Sequence, residues 1–215
     1  MNGNIGIFAS ARVAAGSSIT ATFQQATVDP SNLSSYTFAS QAIGTASATR
    51  RVVVALTTAS SLTVSSATIG GISATIDATT TLSGTARLAI ISAVVPTGTT
   101  ASVVVNLSGS AAYMGIGLWT LDNGSPSGGT AADTVTPITL TTTTVSGGVV
   151  IAVTHNTGVS VSAFTWTNAT GRWTLDTESG TETFSGADGP ATGTSTAVSV
   201  AATGGTLVGL SAAYA

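Results

Sequence analysis

The chain contains no cysteine and no lysine, and it carries little charge of either sign. The absence of cysteine excludes disulfide scaffolds and thiolate metal sites. Charged residues make up 6% of the sequence, against about 25% in a typical soluble domain. Because neutralisation of phosphates dominates affinity for nucleic acid, we expect no nucleic-acid partner for a chain of net charge −3 with five scattered arginines.

Long hydrophobic runs are also missing. The longest apolar stretch, residues 86–95, is interrupted by Arg87 and Ser92, and it is shorter than the roughly 18–20 residues of a membrane-spanning helix. Residues 1–8 have neither a basic segment nor a continuous apolar segment, so no secretory signal and no membrane association are predicted. A mean hydropathy of +0.48 argues against disorder. A folded surface with so few charges is poorly hydrated, which favours a homo-oligomer or a component of a larger assembly.

What the sequence does have is the composition of an all-β protein. Valine, isoleucine and threonine are abundant, and glycine or Asn/Asp turns recur about every ten residues. We therefore predict an antiparallel β-sandwich, either a jelly roll or an Ig-like fold. Residues 51–56 form a continuous apolar run, which predicts a strand covered on both faces. Residues 62–69 and 72–76 flank Gly70-Gly71, which predicts a hairpin with a primed turn.

Two further hairpins are predicted in the second half of the chain. The first pairs residues 136–145 with 149–154, and the second places Trp166 opposite Trp173 around Asn168. Residues 122–133 are rich in glycine, serine and proline, and they are predicted to form an exposed loop or hinge. Glycines at 115 and 117 indicate a bulge or a close backbone approach. No internal repeat of fixed period is visible, which argues against a solenoid.

The N-terminal residues differ from the rest, because they show weak alternation and no turn pairing. We predict an extended N-terminal arm over residues 1–30 and a β-sandwich domain over residues 31–215, with two sub-sheets that could join near residues 122–135. Within the arm, Ile5, Ile7, Phe8 and Arg12 are the predicted partner-binding residues.

Catalytic and metal sites have little support in the sequence. His155 is the single histidine, so any Ser-His-Asp triad would depend on it, and no nucleophile-elbow pattern lies nearby. Asp176, Glu178, Glu182 and Asp188 cluster late in the chain without calcium-loop spacing, and a solvated acidic rim is the simpler interpretation. We therefore predict no enzyme activity, no catalytic residue, no metal and no cofactor.

The tryptophans Trp119, Trp166 and Trp173 have two possible roles. Aromatic residues in strands this apolar are usually part of the core. The alternative is a platform on which sugar rings stack, which would require exposed rings.

Several segments resemble a recurring pattern in structural proteins of tailed bacteriophages. The resemblance extends over residues 33–166 and is carried by Tyr36-Thr37-Phe38, Ile43-Gly44-Thr45-Ala46, Arg50-Arg51-Val52-Val53-Val54-Ala55-Leu56, Thr68-Ile69-Gly70-Gly71-Ile72-Ser73-Ala74-Thr75, Pro96-Thr97-Gly98-Thr99-Thr100-Ala101, Ser108-Gly109, Gly115-Ile116-Gly117-Leu118-Trp119 and Gly147-Gly148-Val149-Val150-Ile151-Ala152-Val153. It implies a virion β-sandwich protein located on the capsid surface or the tail. The implied partners are the major capsid protein or other virion proteins, and no catalytic residue is implied.

Three functional hypotheses follow. The first is a capsid decoration or cement protein that binds across capsid subunits. The second is a tail fibre, spike or surface module that binds a receptor or glycan. The third is a hydrolase of the sandwich type, which would require His155 or the Asp176/Glu178 pair to line a cleft.

Overall fold

The structure is a computed structural model that describes residues 18–82, 84–158, 163–177 and 180–215. All secondary-structure elements within these residues are β-strands. Every pair of neighbouring strands is antiparallel. The prediction of an all-β antiparallel sandwich is therefore confirmed. The predicted partner-binding residues Ile5, Ile7, Phe8 and Arg12 lie outside the described residues.

The first half of the chain, here called the N-unit, folds into two stacked sheets. The inner N-sheet has the order β1-β9-β3-β7-β6, and the outer N-sheet has the order β2-β8-β4-β5. Their facing sides enclose a core that includes Tyr36, Leu56 and Ile91. The strands are β1 (Ala21–Asp29), β2 (Leu33–Ala42), β3 (Arg50–Ala59), β4 (Val64–Ile69), β5 (Ile72–Ser73), β6 (Thr75–Leu82), β7 (Ala86–Val94), β8 (Thr100–Ala111) and β9 (Met114–Asp122).

The second half, the C-unit, is built in the same way. Its inner C-sheet has the order β10-β17-β12-β15-β14, and its outer C-sheet has the order β11-β16-β13. The core between them includes Leu140, Val150 and Val198. The strands are β10 (Pro126–Asp133), β11 (Ile138–Thr143), β12 (Val149–Thr157), β13 (Thr165–Thr167), β14 (Thr170–Asp176), β15 (Glu182–Pro190), β16 (Ser195–Ala201) and β17 (Thr206–Tyr214).

The two units have the same strand topology. If β10 is matched to β1 and the remaining strands follow in chain order, each sheet of the C-unit repeats the strand order of the corresponding N-unit sheet. Most successive strands alternate between the two sheets, which is the connectivity of a jelly roll. The C-unit lacks only the counterpart of β5, the short fourth strand of the outer N-sheet.

The two inner sheets pack face to face along a surface here called the seam. β3 lies on β12, β1 lies on β14, and β6 lies on β17 and β10, so the strand order of one sheet is reversed over the other. This arrangement is that of a pseudo-two-fold axis running along the strands between β3 and β12. The molecule therefore has four layers, and β3 and β12 are covered on both faces. The seam core includes Trp119, Phe184 and Tyr214.

Parts of the sequence-based organisation were wrong. Residues 21–29 of the predicted arm form β1, an edge strand whose alternation is weak because most of its side chains are half-buried and the pairing is bulged after Phe23. Most of the predicted loop at 122–133 is β10, another edge strand. Its glycines have a packing role, since a Cβ on Gly129 would lie 1.7 Å from the Thr143 carbonyl oxygen.

Strand pairing was predicted correctly in one hairpin and wrongly in two. β4 and β5 pair around Gly70 and Gly71, which both have positive φ, as a primed turn requires. In contrast, β11 pairs with β16 and β12 pairs with β15 and β17. Trp166 and Trp173 likewise lie in different sheets. Both errors have the same cause, because consecutive jelly-roll strands usually cross the sandwich instead of pairing.

The segment that connects the two units and the segment that precedes β1 meet at one end of the molecule, here called the linker pole. Residues 123–125 connect β9 to β10 there, and Ser125 and Ala215 exchange two backbone hydrogen bonds of 3.0 and 2.9 Å. The Ile19 amide donates to the Gly147 carbonyl at 2.8 Å, so the first described residues also lie at this pole. The opposite end, where β3 and β12 finish, is called the far pole.

Candidate functional site

Charge is distributed unevenly over the four layers. None of the strand residues of the outer N-sheet or the outer C-sheet is charged. Their outward sides carry mainly serine, threonine and alanine, as in β11, where Thr139, Thr141 and Thr143 are exposed and alternate with buried residues. The charged side chains of the described residues belong to the inner sheets or to strand ends. The molecule therefore presents two opposite faces that are rich in hydroxyl groups and free of charge.

His155 is fully buried in the seam near the far pole. Its Nδ1 is 2.7 Å from Thr57 Oγ1, and its Nε2 is 2.8 Å from Glu182 Oε2. The rings of Tyr113 and Phe184 pack against the imidazole, with ring centroids 6.2 and 4.8 Å away. A neutral imidazole that donates from Nε2 to Glu182 and accepts at Nδ1 from the Thr57 hydroxyl satisfies both ring nitrogens.

Burial sets the protonation of this cluster. Desolvation lowers the pKa of His155 below its ordinary value, although the hydrogen bond and the charge of Glu182 act in the opposite direction. Burial and the neighbouring Glu182 raise the pKa of Tyr113. At neutral pH the cluster therefore holds a neutral imidazole and a neutral phenol beside Glu182, and it links the N-unit to the C-unit.

The arrangement of Thr57, His155 and Glu182 resembles a nucleophile, a base and an orienting carboxylate. However, Thr57 and His155 are both 0% exposed, so a substrate does not reach them in this conformation. The geometry supports a structural link across the seam. The prediction that the chain is not an enzyme stays a prediction.

Two more polar links cross the seam. Trp119 Nε1 donates to Asp188 Oδ2 at 2.7 Å, and Arg172 binds both oxygens of the same carboxylate at 2.6 and 2.8 Å. The Tyr214 hydroxyl donates to Asp77 Oδ2 at 2.7 Å, and burial raises the pKa of this tyrosine. These contacts fix the lateral position of the two inner sheets, because hydrogen bonds are directional whereas apolar contacts are not.

The predicted carboxylate cluster does not assemble. Asp188 lies opposite Ile151 near the linker pole, whereas Glu182 lies opposite Thr157 at the far pole. Glu178 lies outside the described residues. Within the described residues, no group of three His, Cys, Asp or Glu side chains is placed to hold a metal ion. Sequence reasoning did not find the role of Asp188, since Trp119 is 69 positions away and Arg172 lies in the bulge of β14, where Thr170 is the residue opposite Asp188.

The tryptophans are largely core residues, as the first of the two interpretations predicted. Trp119 and Trp173 are buried in the seam core. At Gly117 a side chain takes the space of a Cβ, because Trp173 Nε1 lies 2.2 Å from the position that the Cβ would have. Trp166 is half-buried at the edge of the C-unit and donates from Nε1 to Ser185 Oγ at 3.0 Å.

The described residues form open grooves of about 640, 490 and 310 Å³, and the first and the last of these bear on function. The larger one, about 640 Å³, lies at the linker pole between the start of β1, the β2–β3 connection and the end of β9, and its lining is mainly polar. The smaller one, about 310 Å³, lies between β13 and β14, and Phe164, Trp166 and Thr174 are among the residues that line it. We call the smaller one the edge groove.

Comparison with protein-family models, with curated protein sequences and with solved structures finds no match to this chain. Within the described residues there is also no helix long and apolar enough to cross a membrane. The functional assignment therefore depends on the sequence and the geometry of the chain itself.

Proposed function

We propose that this chain is a structural protein of a tailed-bacteriophage virion, and that it decorates the capsid by binding across capsid subunits. The observation that carries the proposal is the pair of charge-free outer faces on a four-layer body. The seam, with its buried core and its three polar links, joins the two units into that one body.

The charge-free faces suit a protein present in many copies. Copies placed side by side through such faces do not repel one another, and no charge loses its hydration on contact. Serine and threonine hydroxyls can exchange water for partner groups at small net cost. Each copy adds contact area that disassembly would have to expose, and symmetry multiplies that area. The partner proposed for these faces is the major capsid protein.

Copy number tests the proposal directly. Quantitative mass spectrometry of purified particles is expected to find this chain at a copy number close to that of the major capsid protein. A few to a few tens of copies per particle would move it to the tail or to vertex spikes. Absence from particles would overturn the virion assignment.

Charge insertion tests the faces themselves. Thr37→Lys on the outer N-sheet and Thr141→Lys on the outer C-sheet each place one charge on an exposed position of a charge-free face. At least one of them is expected to lower the number of copies bound per particle. Thr203→Lys, at an exposed far-pole position, is the matched control and should bind normally. Unchanged binding by both face variants would contradict the proposed contact.

The glycan-binding alternative now has one candidate residue. Two of the three tryptophans are buried, so only the half-buried Trp166 is available to stack on a sugar. A glycan array with the full chain and with Trp166→Ala tests this alternative. Binding that the substitution abolishes would favour a receptor-binding module over a decoration protein.

A further inference from the structure

The internal duplication shows one position that the N-unit fills and the C-unit leaves open. In the outer N-sheet, β5 pairs with the outer edge of β4 through Thr68–Ser73 and Ile69–Ile72. The strand equivalent to β4 is β13, which pairs with β16 alone among the described strands. The N-unit thus shows what fits beside β13, which is a short extended segment antiparallel to it.

The open position has the features of a strand-binding site. An unpaired strand edge offers backbone amides and carbonyls that an added strand can bind. The edge groove lies directly beside it, between β13 and β14, and its walls include the half-buried Phe164 and Trp166. Gly171 keeps the groove open at its floor, because a Cβ there would lie 2.9 Å from Trp166 Cδ1. Side chains on one face of an added strand would enter this groove.

Residues 1–17 of the chain have the matching sequence. They contain no proline and no acidic residue, and Ile5 and Ile7 are spaced two apart around Gly6. In an extended strand this spacing puts both isoleucines on the same face. In the edge groove such a pair would lie against the rings of Phe164 and Trp166, beside the polar side chains of Arg172 and Ser185.

Strand direction distinguishes a second copy from the same chain. β13 runs from the far pole to the linker pole, since Thr165 pairs with Ala201 and Thr167 pairs with Ser199. An added antiparallel strand therefore runs away from the linker pole. The chain's own segment must arrive at Ser18, which lies at the linker pole, so it would have to reverse direction within residues 9–17. A segment from another molecule has no such constraint.

We infer that the outer edge of β13 binds the N-terminal segment of a second copy as an added strand, with Ile5 and Ile7 in the edge groove. This inference deepens the proposed structural function and rests on it, because it gives the copies a way to bind one another. Each copy donates one segment and receives one, so the contact closes as a reciprocal pair or continues as rings or chains. With only three residues in β13, a single contact is weak, and several contacts act together in an assembly.

Disulfide trapping tests the inference, and the lack of native cysteine makes the readout clean. Asn4→Cys and Gly6→Cys alternate with Ile5 and Ile7, so they share the outward face of the added strand with Thr167. Each is combined with Thr167→Cys in the full chain, and the products of mild oxidation are separated without reductant. Covalent dimers are expected from reciprocal pairs, and a ladder of larger species from rings or chains. The control pair combines the same substitutions with Thr139→Cys, an exposed residue on β11 at the other edge of the same sheet.

The trapped fraction is expected to exceed that of the control pair by about tenfold or more, because bound segments hold the cysteines at high effective concentration. Equal trapping in both pairs, no trapping, or only intramolecular disulfides would overturn the inference. Far-ultraviolet circular dichroism of the reduced variants confirms that each is folded. Trapping with a low copy number in particles would leave the strand addition standing and remove the decoration role, so the two failures are distinguishable.

Discussion

At the residue scale, His155 shows how one buried side chain ties the two units together. Its neighbours with titratable groups are Glu182 from β15 and Tyr113 next to β9. Since burial lowers its pKa below the ordinary 6.5, the unfolded chain takes up a proton on acidification before the folded chain does. The contribution of His155 to folding stability is therefore fully present above about pH 6.5, and it decreases as the pH falls from there toward the pKa of His155 in the folded state.

The first prediction follows from that sign. Urea unfolding midpoints measured from about pH 8 down to about pH 5 are expected to fall on the acid side. His155→Gln should unfold more easily at pH 8, by about 1–3 kcal/mol, because a buried polar network is disturbed. The same variant should lose most of the pH dependence, since the chain has no other histidine. An equal pH dependence in the variant would show that other groups cause it.

Gly117 is the second informative residue, because the neighbouring indole leaves no room for a side chain. A Cβ at this position would lie 2.2 Å from Trp173 Nε1 across the seam. Gly117→Ala is expected to destabilise the chain by about 1–3 kcal/mol through overpacking. Gly193→Ala is the matched control, because no atom lies within 4 Å of its Cβ position. Thermal unfolding of both variants checks the difference, and similar losses in both would contradict the close contact.

At the element scale, Arg50 holds the loops of the linker pole on the N-unit. It is 3% exposed, and its guanidinium donates to four backbone carbonyls at 2.7–2.9 Å, those of Gly44, Val95, Thr97 and Gly98. These carbonyls belong to the β2–β3 and β7–β8 connections. The planar fork of an arginine can reach all of them at once, whereas a lysine ammonium cannot.

We therefore predict that Arg50→Lys destabilises the protein by about 2–3 kcal/mol, since buried carbonyls lose their donors. Arg87→Lys is the comparison, because Arg87 also donates to two carbonyls, those of Ser61 and Leu62, but is only half-buried. Its effect should be smaller. Guanidinium-induced unfolding of the two variants measures the difference, and an equal or larger loss for Arg87→Lys would contradict this account.

Elements defined by local pattern could be predicted from the sequence. The apolar run of β3 and the glycine turn between β4 and β5 depend on residues close in the chain, and both were predicted correctly. Pairing partners could not be predicted, because nothing local to residues 136–154 or to Trp166 indicates that successive strands belong to different sheets. β1 and β10 were missed as strands because edge strands need neither strong alternation nor bulky side chains.

The duplication was hidden for a related reason. Val52 to Thr58 and Val149 to His155 have similar sequences, Val-Val-Val-Ala-Leu-Thr-Thr and Val-Val-Ile-Ala-Val-Thr-His. That alignment is out of phase with the fold. Val52 faces the core of its own unit, whereas Val149 faces the seam. A shift of one residue reverses the face of every side chain in a strand, so sequence likeness and structural equivalence disagree here.

At the scale of the whole molecule, the seam determines how the protein unfolds. Each inner sheet has one face in the core of its own unit and the other in the seam core. Opening the seam would expose Trp119, Phe184 and Tyr214 to water. The two units are therefore expected to unfold together, although each has the topology of a complete jelly roll.

Differential scanning calorimetry tests this expectation. A single transition is predicted, with a calorimetric enthalpy equal to the van't Hoff enthalpy. Gly117→Ala should make the calorimetric and van't Hoff enthalpies differ, or split the transition in two, because it weakens the seam without touching either sandwich core. Two well-separated transitions in the unaltered protein would show that the units are independent.

The candidate site was only partly accessible to sequence reasoning at this scale. The low charge of the chain was plain in the composition. That the strands of the two outer sheets carry no charged residue could be seen only once the strands were assigned to sheets. His155 was identified as the single histidine, yet its contact with Thr57 joins residues 98 positions apart. The open edge of β13 was invisible until the two units could be compared.

The two hydrogen bonds between Ser125 and Ala215 have a consequence for gene order. Because the end of the C-unit and the start of the N-unit both lie at the linker pole, a circular permutant can begin at Ser125, continue from Ala215 into residues 1–17, and end at Gly124. Such a permutant encodes the C-unit first and the N-unit second. It is expected to fold to the same four layers, because the pseudo-two-fold arrangement does not depend on which half is translated first.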